Sequence, residues 1–196
     1  MARHTVRKGE DPLTVFEITQ RLNRAHFDQM ELLERRFYSP AFITPAEESY
    51  AYYTRFPLST VAALDGDKAV GFVNLFPVIE EVYRALLKGT FNDSGLTFRD
   101  ILDVSSPGAS PVHLFLSCIA VDPAYRKQGA AKALLGAALT AYGDSLSECR
   151  DVVTDNVTQE GRRFSERLGF RFVCRSDHGS TVYAMPYPDF VKAVLP

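Results

Sequence analysis

The N-terminal part of the chain places its hydrophobic residues at helical spacing. Apolar residues from Leu13 to Phe27 recur every three or four positions after Pro12, which predicts a helix. A second helix is predicted from Asp28 to Phe37, and residues 4–10 form a short candidate strand before both. Thr44 to Glu47 combines a capping residue, a proline and an acidic residue, so we expect Thr44 to cap a third helix that ends at Arg55.

The pattern then changes to short runs rich in β-branched and aromatic residues. Residues 59–64 and 69–78 predict two strands, and the Asp-Gly-Asp turn between them predicts an antiparallel hairpin. Residues 80–111 form an excursion from this pattern. It is expected to contain a short helix at Glu80–Leu87, a turn at 92–95 and a loop at 105–111.

The C-terminal part alternates strand and helix patterns. Val112–Val121 is apolar on both faces, which is typical of a central strand that is covered on both sides. The remaining predicted elements are strands at Arg150–Thr154, Phe170–Cys174 and Thr181–Met185, and helices at Lys132–Tyr142 and Thr158–Leu168, the last closed by Gly169. This order predicts a mixed α+β sheet with one parallel crossover pair.

Composition narrows the class of protein. The chain has 196 residues, of which 46% are hydrophobic and 23% charged, as expected of one globular domain. A formal net charge of −2 argues against a nucleic-acid partner, and the apolar runs are too short to cross a membrane. The three cysteines have neither a paired nor a metal-binding spacing, and the start of the chain lacks the apolar stretch of a signal peptide. We therefore expect a reduced, cytoplasmic protein without a metal.

The strongest chemical signal follows the central strand. Arg126, Lys127 and Gln128 precede three small residues, Gly129, Ala130 and Ala131, where a helix is predicted to begin. Small residues let backbone N–H groups approach an anion, and the helix N-terminus adds a positive dipole end. The segment therefore predicts a phosphate or pyrophosphate site, although it is neither the P-loop GxxxxGK(S/T) nor the dinucleotide GxGxxG. An ordinary strand-to-helix turn with solvated basic side chains is the alternative.

At these residues the chain resembles the GNAT N-acetyltransferase superfamily. The family motif Gln/Arg-x-x-Gly-x-Gly/Ala matches Arg126 to Ala131, and the preceding Val-Asp-Pro-Ala-Tyr is also typical. Thr158 to Phe170 is similar to the family's segment Asn-x-x-Ala-x-x-Leu-Tyr-x-x-x-Gly-Phe. The resemblance implies the GNAT acyl-CoA N-acyltransferase fold, a central, mostly antiparallel twisted sheet with a splayed parallel strand pair, flanked by helices. It also implies a single domain over residues 1–196, with an insertion at about 80–111 between the third and fourth strands.

The resemblance further implies direct transfer of an acetyl group from acetyl-CoA, as cosubstrate, to a primary amine. Backbone amides from Gln128 to Lys132 would hold the pyrophosphate, and the pantetheine arm would pair with the strand edge at Ile119–Val121. The residues implied in cofactor binding are Ile119, Ala120, Val121, Arg126, Lys127, Gln128, Gly129, Ala130, Ala131, Lys132, Thr158 and Phe164. Thr158 is also read as a helix N-cap. The expected partners are acetyl-CoA and an amine acceptor, without a membrane or nucleic acid, and a homodimer is left open.

The catalytic residues are less well marked. Ser165 stands where the family often has a tyrosine general acid, so we expect it to be a poor acid. The candidates for a general base are Glu80, Glu81 and His113, and a relay to water is the alternative. By strand alternation His113 shares one face with Ser117. The acidic residues of the excursion, which could form a lip for a cationic amine or belong to a solvated surface loop, are Glu80, Glu81, Asp93, Asp100 and Asp103.

Two other side chains and two rival functions complete the expectations. Cys118 is predicted to fill the core, and His178 is predicted to be a turn residue. The first rival is a GNAT-fold module that binds CoA as a sensor or interaction domain without turnover. The second is an enzyme that acetylates aminoacyl-tRNA, which would need a basic surface beside its cleft.

Overall fold

The computed structural model of the chain describes residues 2–5, 15–104 and 112–195. Within these ranges the strands are β1 (Ala2–Thr5), β2 (Val15–Thr19), β3 (Thr60–Asp65), β4 (Lys68–Val78), β5 (Val112–Val121), β6 (Cys149–Asn156), β7 (Arg171–Arg175) and β8 (Thr181–Pro186). The helices are α1 (Arg24–Glu34), α2 (Ala46–Arg55), α3 (Glu80–Lys88), α4 (Ala130–Tyr142), α5 (Gln159–Leu168) and α6 (Tyr187–Val194). The mixed α+β class predicted from the sequence is confirmed.

The chain divides into two compact units. The first comprises Met1–Asn74 and Cys118–Ala141, and the second comprises Leu75–Ser117 and Tyr142–Pro196. Strands β4 and β5 contribute a segment to each unit.

The first unit has the strand order β1-β2-β3-β4-β5. Its first three pairings are antiparallel, with Glu17 opposite Leu64 and Val61 opposite Val73. The β3–β4 hairpin turns at Gly66, where φ is +59°, as expected for the predicted Asp-Gly-Asp turn. One core cluster of this unit consists of the buried residues Leu22, Phe27, Met30, Leu33, Ala46, Ala62, Ala69, Phe72 and Ala120.

The helix predicted over Leu13–Phe27 is wrong. Strand β2 occupies part of that stretch because it pairs with β1 on one side and with β3 on the other. These pairings are made with residues far along the chain, and they override the local helical spacing. Helix α1 begins only at Arg24, where Asn23 forms a capping box with His26, so the second helix predicted from Asp28 starts earlier and ends at Glu34.

The prediction that Thr44 caps the third helix is also wrong. The N-cap of α2 is Pro45, which has no side chain to accept a hydrogen bond. The N–H of the buried Ala46 instead donates to the Glu31 carboxylate at 2.6 Å. A carboxylate from α1 therefore replaces the local cap, and this hydrogen bond lowers the pKa of Glu31.

The second unit has the strand order β4-β5-β6-β8-β7. Strands β5 and β6 pair in parallel, as predicted for the crossover pair. The β6–β8 and β7–β8 pairings are antiparallel. Helix α6 was not predicted, and its first residue lies between Pro186 and Pro188. Proline is tolerated in the first helical turn, and the buried side chains of Phe190 and Val194 anchor this helix in the core.

The predicted excursion starts as expected. Helix α3 ends at Gly89, which adopts a left-handed φ of +72°, and Val78 forms an isolated bridge with Ile101. The predicted loop at 105–111 lies outside the described residues, as does most of the predicted strand at 4–10.

Candidate active site

Strands β5 and β6 separate part-way along their length. Their last parallel pair is Leu116 with Thr154. Strand β6 continues to Asn156 paired only with β8 on its other side, and β5 continues from Ser117. Of the described pairings, none joins β5 to β6 beyond Leu116, which is the splay implied by the resemblance.

Beyond this point, in the first unit, the backbone groups of successive β5 residues point alternately toward β4 and away from it. The carbonyl of Ala120 faces β4, because a Cβ at Gly71 would lie 3.1 Å from it. Successive strand residues point to opposite sides, so Ile119 and Val121 face away from β4. Their carbonyls accept hydrogen bonds from side chains, that of Ile119 from the Tyr38 hydroxyl at 3.4 Å and that of Val121 from Arg126 Nε at 2.9 Å.

The loop between β5 and α4 has a strained backbone. Lys127 adopts φ +61°, which is uncommon for a residue with a side chain, and Gly129 adopts φ +79°. The first helical bond after them runs from the Ala133 N–H to the Gly129 carbonyl at 2.9 Å. The N–H groups of the first turn therefore have no partner within the helix. Left-handed residues next to such a turn point backbone N–H groups into an anion-binding concavity.

Space is available at this concavity. A Cβ at Gly129 would meet no atom within 4 Å. The side chains of the loop point elsewhere: the Arg126 guanidinium lies 4.5 Å from the centre of the Phe37 ring, and Gln128 Nε2 donates to the Ala124 carbonyl at 2.8 Å. Ala130 is buried, whereas Lys127 and Lys132 are exposed. The backbone, with two exposed ammonium groups beside it, is thus the part of the loop that can meet an anion.

The C-terminal half of β5 also carries a polar cluster that was not predicted. The Cys118 thiol donates to the Glu34 carboxylate at 3.3 Å and lies 4.0 Å from the Tyr38 hydroxyl. Glu34 is only 8% exposed, and burial raises the pKa of Tyr38 well above its ordinary value. Cys118 packs against the core as predicted. Its polar partners are Glu34, the last residue of α1, and Tyr38, which follows the helix, and the sequence contained no signal that would bring them to Cys118.

Ser165, the residue at the family's tyrosine position, is buried in the second unit. Its hydroxyl donates to Asn156 Oδ1 at 3.3 Å, and Asn156 Nδ2 lies 3.0 Å from its oxygen. Thr158 caps α5, because its hydroxyl oxygen accepts from the Gly161 N–H at 3.0 Å. Phe164 is partly exposed on the same helix. Contacts of Thr158 and Phe164 with a cofactor stay predictions.

The three predicted base candidates lie near the start of β5. His113 is buried and stacks on Tyr83, with 3.7 Å between the ring centres, and its Nε2 lies 2.9 Å from Glu80. A hydrogen bond from Arg84 is the main cause that lowers the pKa of Glu80, and Glu81 is exposed. Strand geometry separates His113 from Ser117 by about 13 Å along β5. The base role of these residues stays a prediction, and their contacts support a packing role for His113.

Asp93 lies beside Ser117, the first residue of β5 after its last pair with β6. The Ser117 hydroxyl donates to Asp93 Oδ2 at 2.6 Å. Burial raises the pKa of Asp93 to about 6, the charge of Asp155 adds to this effect, and the Ser117 hydrogen bond opposes it. The sequence marked Asp93 only as one acidic residue of the excursion, and nothing in the pattern distinguished it from the others.

A second polar network surrounds Asp155, at the divergent end of β6. Its carboxylate accepts a hydrogen bond from the Ser180 hydroxyl and lies 2.8 Å from His178 Nε2. Ser176 and Ser180 share a hydrogen bond of 2.5 Å. His178 does lie in a turn, as predicted, but the turn carries its ring to Asp155. Ser117 and Asp155 therefore bring two carboxylates, an imidazole and several hydroxyls to the divergent ends of the parallel strands.

Comparison with known proteins identifies the family. A model of the acetyltransferase (GNAT) family matches residues 27–170. The chain belongs to the acetyltransferase (GNAT) family. The matched range includes the loop after β5 and all of α5, so both motifs that carried the resemblance fall within it.

Solved structures show the GNAT fold at low sequence identity. The GNAT-like decarboxylase GphF in complex with isobutyryl-CoA aligns with a TM-score of 0.61 at 17% identity, over 87% of this chain and 98% of that one. NAA60 of Arabidopsis thaliana in complex with acetyl-CoA aligns with a TM-score of 0.55 at 18% identity, over 88% and 98%. A mutant of agmatine N-acetyltransferase aligns with a TM-score of 0.54 at 16% identity, over 87% and 99%.

Three further observations bear on the class of protein. No curated protein sequence matches the chain significantly. In the described part of the chain, no helix is both long and apolar enough to cross a bilayer. Within residues 2–5, 15–104 and 112–195, no group of three or more His, Cys, Asp or Glu side chains could hold a metal ion.

Proposed function

We propose that this GNAT protein is an N-acetyltransferase that moves the acetyl group of acetyl-CoA directly to a primary amine. The observation that carries the proposal is the loop after β5. Lys127 and Gly129 have left-handed backbones there, the first turn of α4 follows at once, and open space lies over Gly129. This arrangement supports binding of the pyrophosphate of acetyl-CoA by backbone N–H groups.

The pantetheine arm would run along β5. Ile119 and Val121 face away from β4, so their backbone groups are the ones that an extended ligand would meet. Tyr38 and Arg126 now bond to those carbonyls, and cofactor binding would displace or rearrange both side chains.

The reaction needs a nucleophilic nitrogen more than a strong acid. The amine nitrogen forms a bond to the acetyl carbon, the C–S bond breaks, and the nitrogen loses a proton. A thiol has a pKa of about 8.5, so its thiolate leaves readily and can take a proton from water. The hydrogen bonds of Ser165 with Asn156 agree with the prediction that Ser165 is not a strong general acid.

The reaction must be identified by its product, because the fold also supports other chemistry in the structural neighbour described as a decarboxylase. Acetyl-CoA is incubated with a panel of primary amines that includes agmatine, spermidine, a lysine peptide and a peptide with a free N-terminus. We expect CoA release together with an acetylated amine detected by mass spectrometry. Tight acetyl-CoA binding without any acetylated product would favour the sensor alternative instead.

The phosphate loop is tested by a matched pair of variants. Gly129→Ala and Gly66→Ala both place a Cβ in open space on a left-handed backbone, at φ +79° and +59°. The backbone strain is therefore similar, at about 1–2 kcal/mol. We expect Gly129→Ala to weaken acetyl-CoA binding by about tenfold or more in calorimetry, while Gly66→Ala leaves the affinity unchanged. Equal affinities in the two folded variants would contradict the pyrophosphate site.

A further inference from the structure

We propose that Asp93 is the catalytic base that takes a proton from the attacking amine, and that Asp155 holds the cationic amine beside it. This assignment rests on the proposed function. It deepens that function because it defines the acceptor as an amine that arrives as an ammonium ion, and because it gives a role to an aspartate from the excursion. Neither Asp155 nor Ser117 was expected to take part.

The first argument is position. Ser117 is the first residue of β5 after the last pair with β6, and it donates to Asp93 Oδ2 at 2.6 Å. Asp155 is the first residue of β6 after the same pair. The two carboxylates are thus fixed to the two strands at the point where the strands separate.

The second argument is the support around the pair. His178 and Ser180 hold Asp155 from the β7–β8 turn, and Ser117 holds Asp93 from β5. Asp155 is the charged group that acts on Asp93. The titratable groups near Asp155 are His178, at 2.8 Å, and Cys174, whose thiol pKa is raised by burial and further by the charge of Asp155. Side chains held in this way keep their geometry when a substrate arrives.

The third argument is acid–base matching. Burial raises the pKa of Asp93 to about 6, so the carboxylate is ionised at neutral pH and is still more basic than an ordinary aspartate. A catalytic base works best with a pKa near the working pH. A neighbouring cation would relieve the repulsion between the negative charges of Asp93 and Asp155, so this repulsion would favour binding of the ammonium group.

The proton transfers balance as follows. The ammonium ion loses one proton to solvent and becomes the free amine. As the N–C bond forms and the C–S bond breaks, the nitrogen loses a second proton to Asp93, and the thiolate takes one from water. Asp93 then releases its proton to solvent after the amide has left.

The experiment compares wild type, Asp93→Asn and a control, Asp189→Asn, on an exposed part of α6. The probe is acetyl-CoA with the amine of the panel that turns over fastest. The titration of the amine is common to all three proteins, so the ratio of kcat/KM between wild type and a variant isolates the mutated carboxylate. We expect a ratio of about 10²–10³ for Asp93→Asn above pH 7, falling about tenfold per pH unit below 6, and a ratio near one for Asp189→Asn at every pH.

A second measurement does not depend on the acceptor. A ¹³C NMR titration of labelled aspartate should show one carboxyl with a pKa near 6 that disappears in Asp93→Asn. Ser117→Ala should raise that pKa, because it removes a hydrogen bond to the charged form, and should move the inflection of the rate ratio upward with it. A rate ratio that is independent of pH, or an Asp93 carboxyl with an ordinary pKa, would overturn the assignment while acetyl transfer itself stands. If wild type acetylates no amine of the panel, the proposed function fails and the assignment falls with it.

Discussion

Replacing Asp93 by asparagine should stabilise the protein, and the gain should depend on pH. The pKa of Asp93 is raised from 3.8 to about 6. The folded state therefore binds the proton more tightly than the unfolded state does. As pH rises from about 4 to 6, the free energy of unfolding of the wild type falls, because the carboxylate must ionise in a buried position. Asparagine keeps the Ser117 hydrogen bond and cannot ionise.

The size of the effect follows from the shift. A difference of about 2 pKa units at about 1.4 kcal/mol each gives roughly 3 kcal/mol as the largest gain, reached above pH 7. Below about pH 3, where Asp93 is protonated in both states, wild type and Asp93→Asn should be similar in stability. For a chain of this length, 1 kcal/mol corresponds to about 2–4 °C in Tm, so the gain at pH 8 is about 6–12 °C.

Urea denaturation of wild type, Asp93→Asn and Asp189→Asn between pH 4 and 8 measures this difference. Groups that titrate in all three proteins cancel when the variant is compared with wild type at each pH. We expect the curve for Asp93→Asn to rise between pH 4 and 6 and then level off, and the curve for Asp189→Asn to stay flat. A difference that does not change with pH, or a loss of stability that grows with pH, would refute the burial of this carboxylate.

Two further substitutions test the structure at other positions. Gly89→Ala should destabilise the protein by at least 2 kcal/mol more than Gly66→Ala in urea denaturation, because its Cβ would lie 2.8 Å from backbone atoms of the second unit, whereas Gly66 has open space. Ser165→Ala should keep kcat on the best amine within about tenfold of wild type, because its hydroxyl bonds to Asn156. Loss of this hydroxyl should lower the free energy of unfolding by about 1–3 kcal/mol. A drop in kcat beyond about 100-fold with normal acetyl-CoA binding would show that Ser165 does act as the general acid.

The elements that could be predicted are those whose signals are local. The β3–β4 hairpin, helix α5 with its Thr158 cap and the central strand β5 each lie in one contiguous stretch with its own turn or cap residues. The sequence did not predict strand β2, because this strand is stabilised by its pairing with β1 and β3 and its own hydrophobic spacing is helical. The organisation of residues 1–196 as a single domain with an insertion stays a prediction.

The candidate site divides in the same way. The loop from Arg126 to Lys132 is contiguous, so small residues before a helix were enough to indicate an anion site. Asp93 and Ser117 are 24 residues apart, and Asp155 and His178 are 23 apart. Only the strand register and the turns bring each pair together. A periodic pattern of hydrophobic residues carries no information on such contacts between distant residues. His113 was one of three base candidates because histidine has a suitable intrinsic pKa, which can be read from the sequence, whereas its contacts with Tyr83 and Glu80 cannot.

The stability and the proposed catalysis of Asp93 have one physical cause. The burial that makes the folded state less stable at high pH is the same burial that makes the carboxylate a better base. The pH at which the stability difference levels off, the NMR pKa and the inflection of the rate ratio must then coincide near pH 6 in wild type, and the NMR and rate values must shift upward together in Ser117→Ala. A carboxylate that only accepts the Ser117 hydrogen bond would reproduce the first two values and leave the rate ratio without an inflection. Agreement of all three therefore separates a catalytic Asp93 from a structural one.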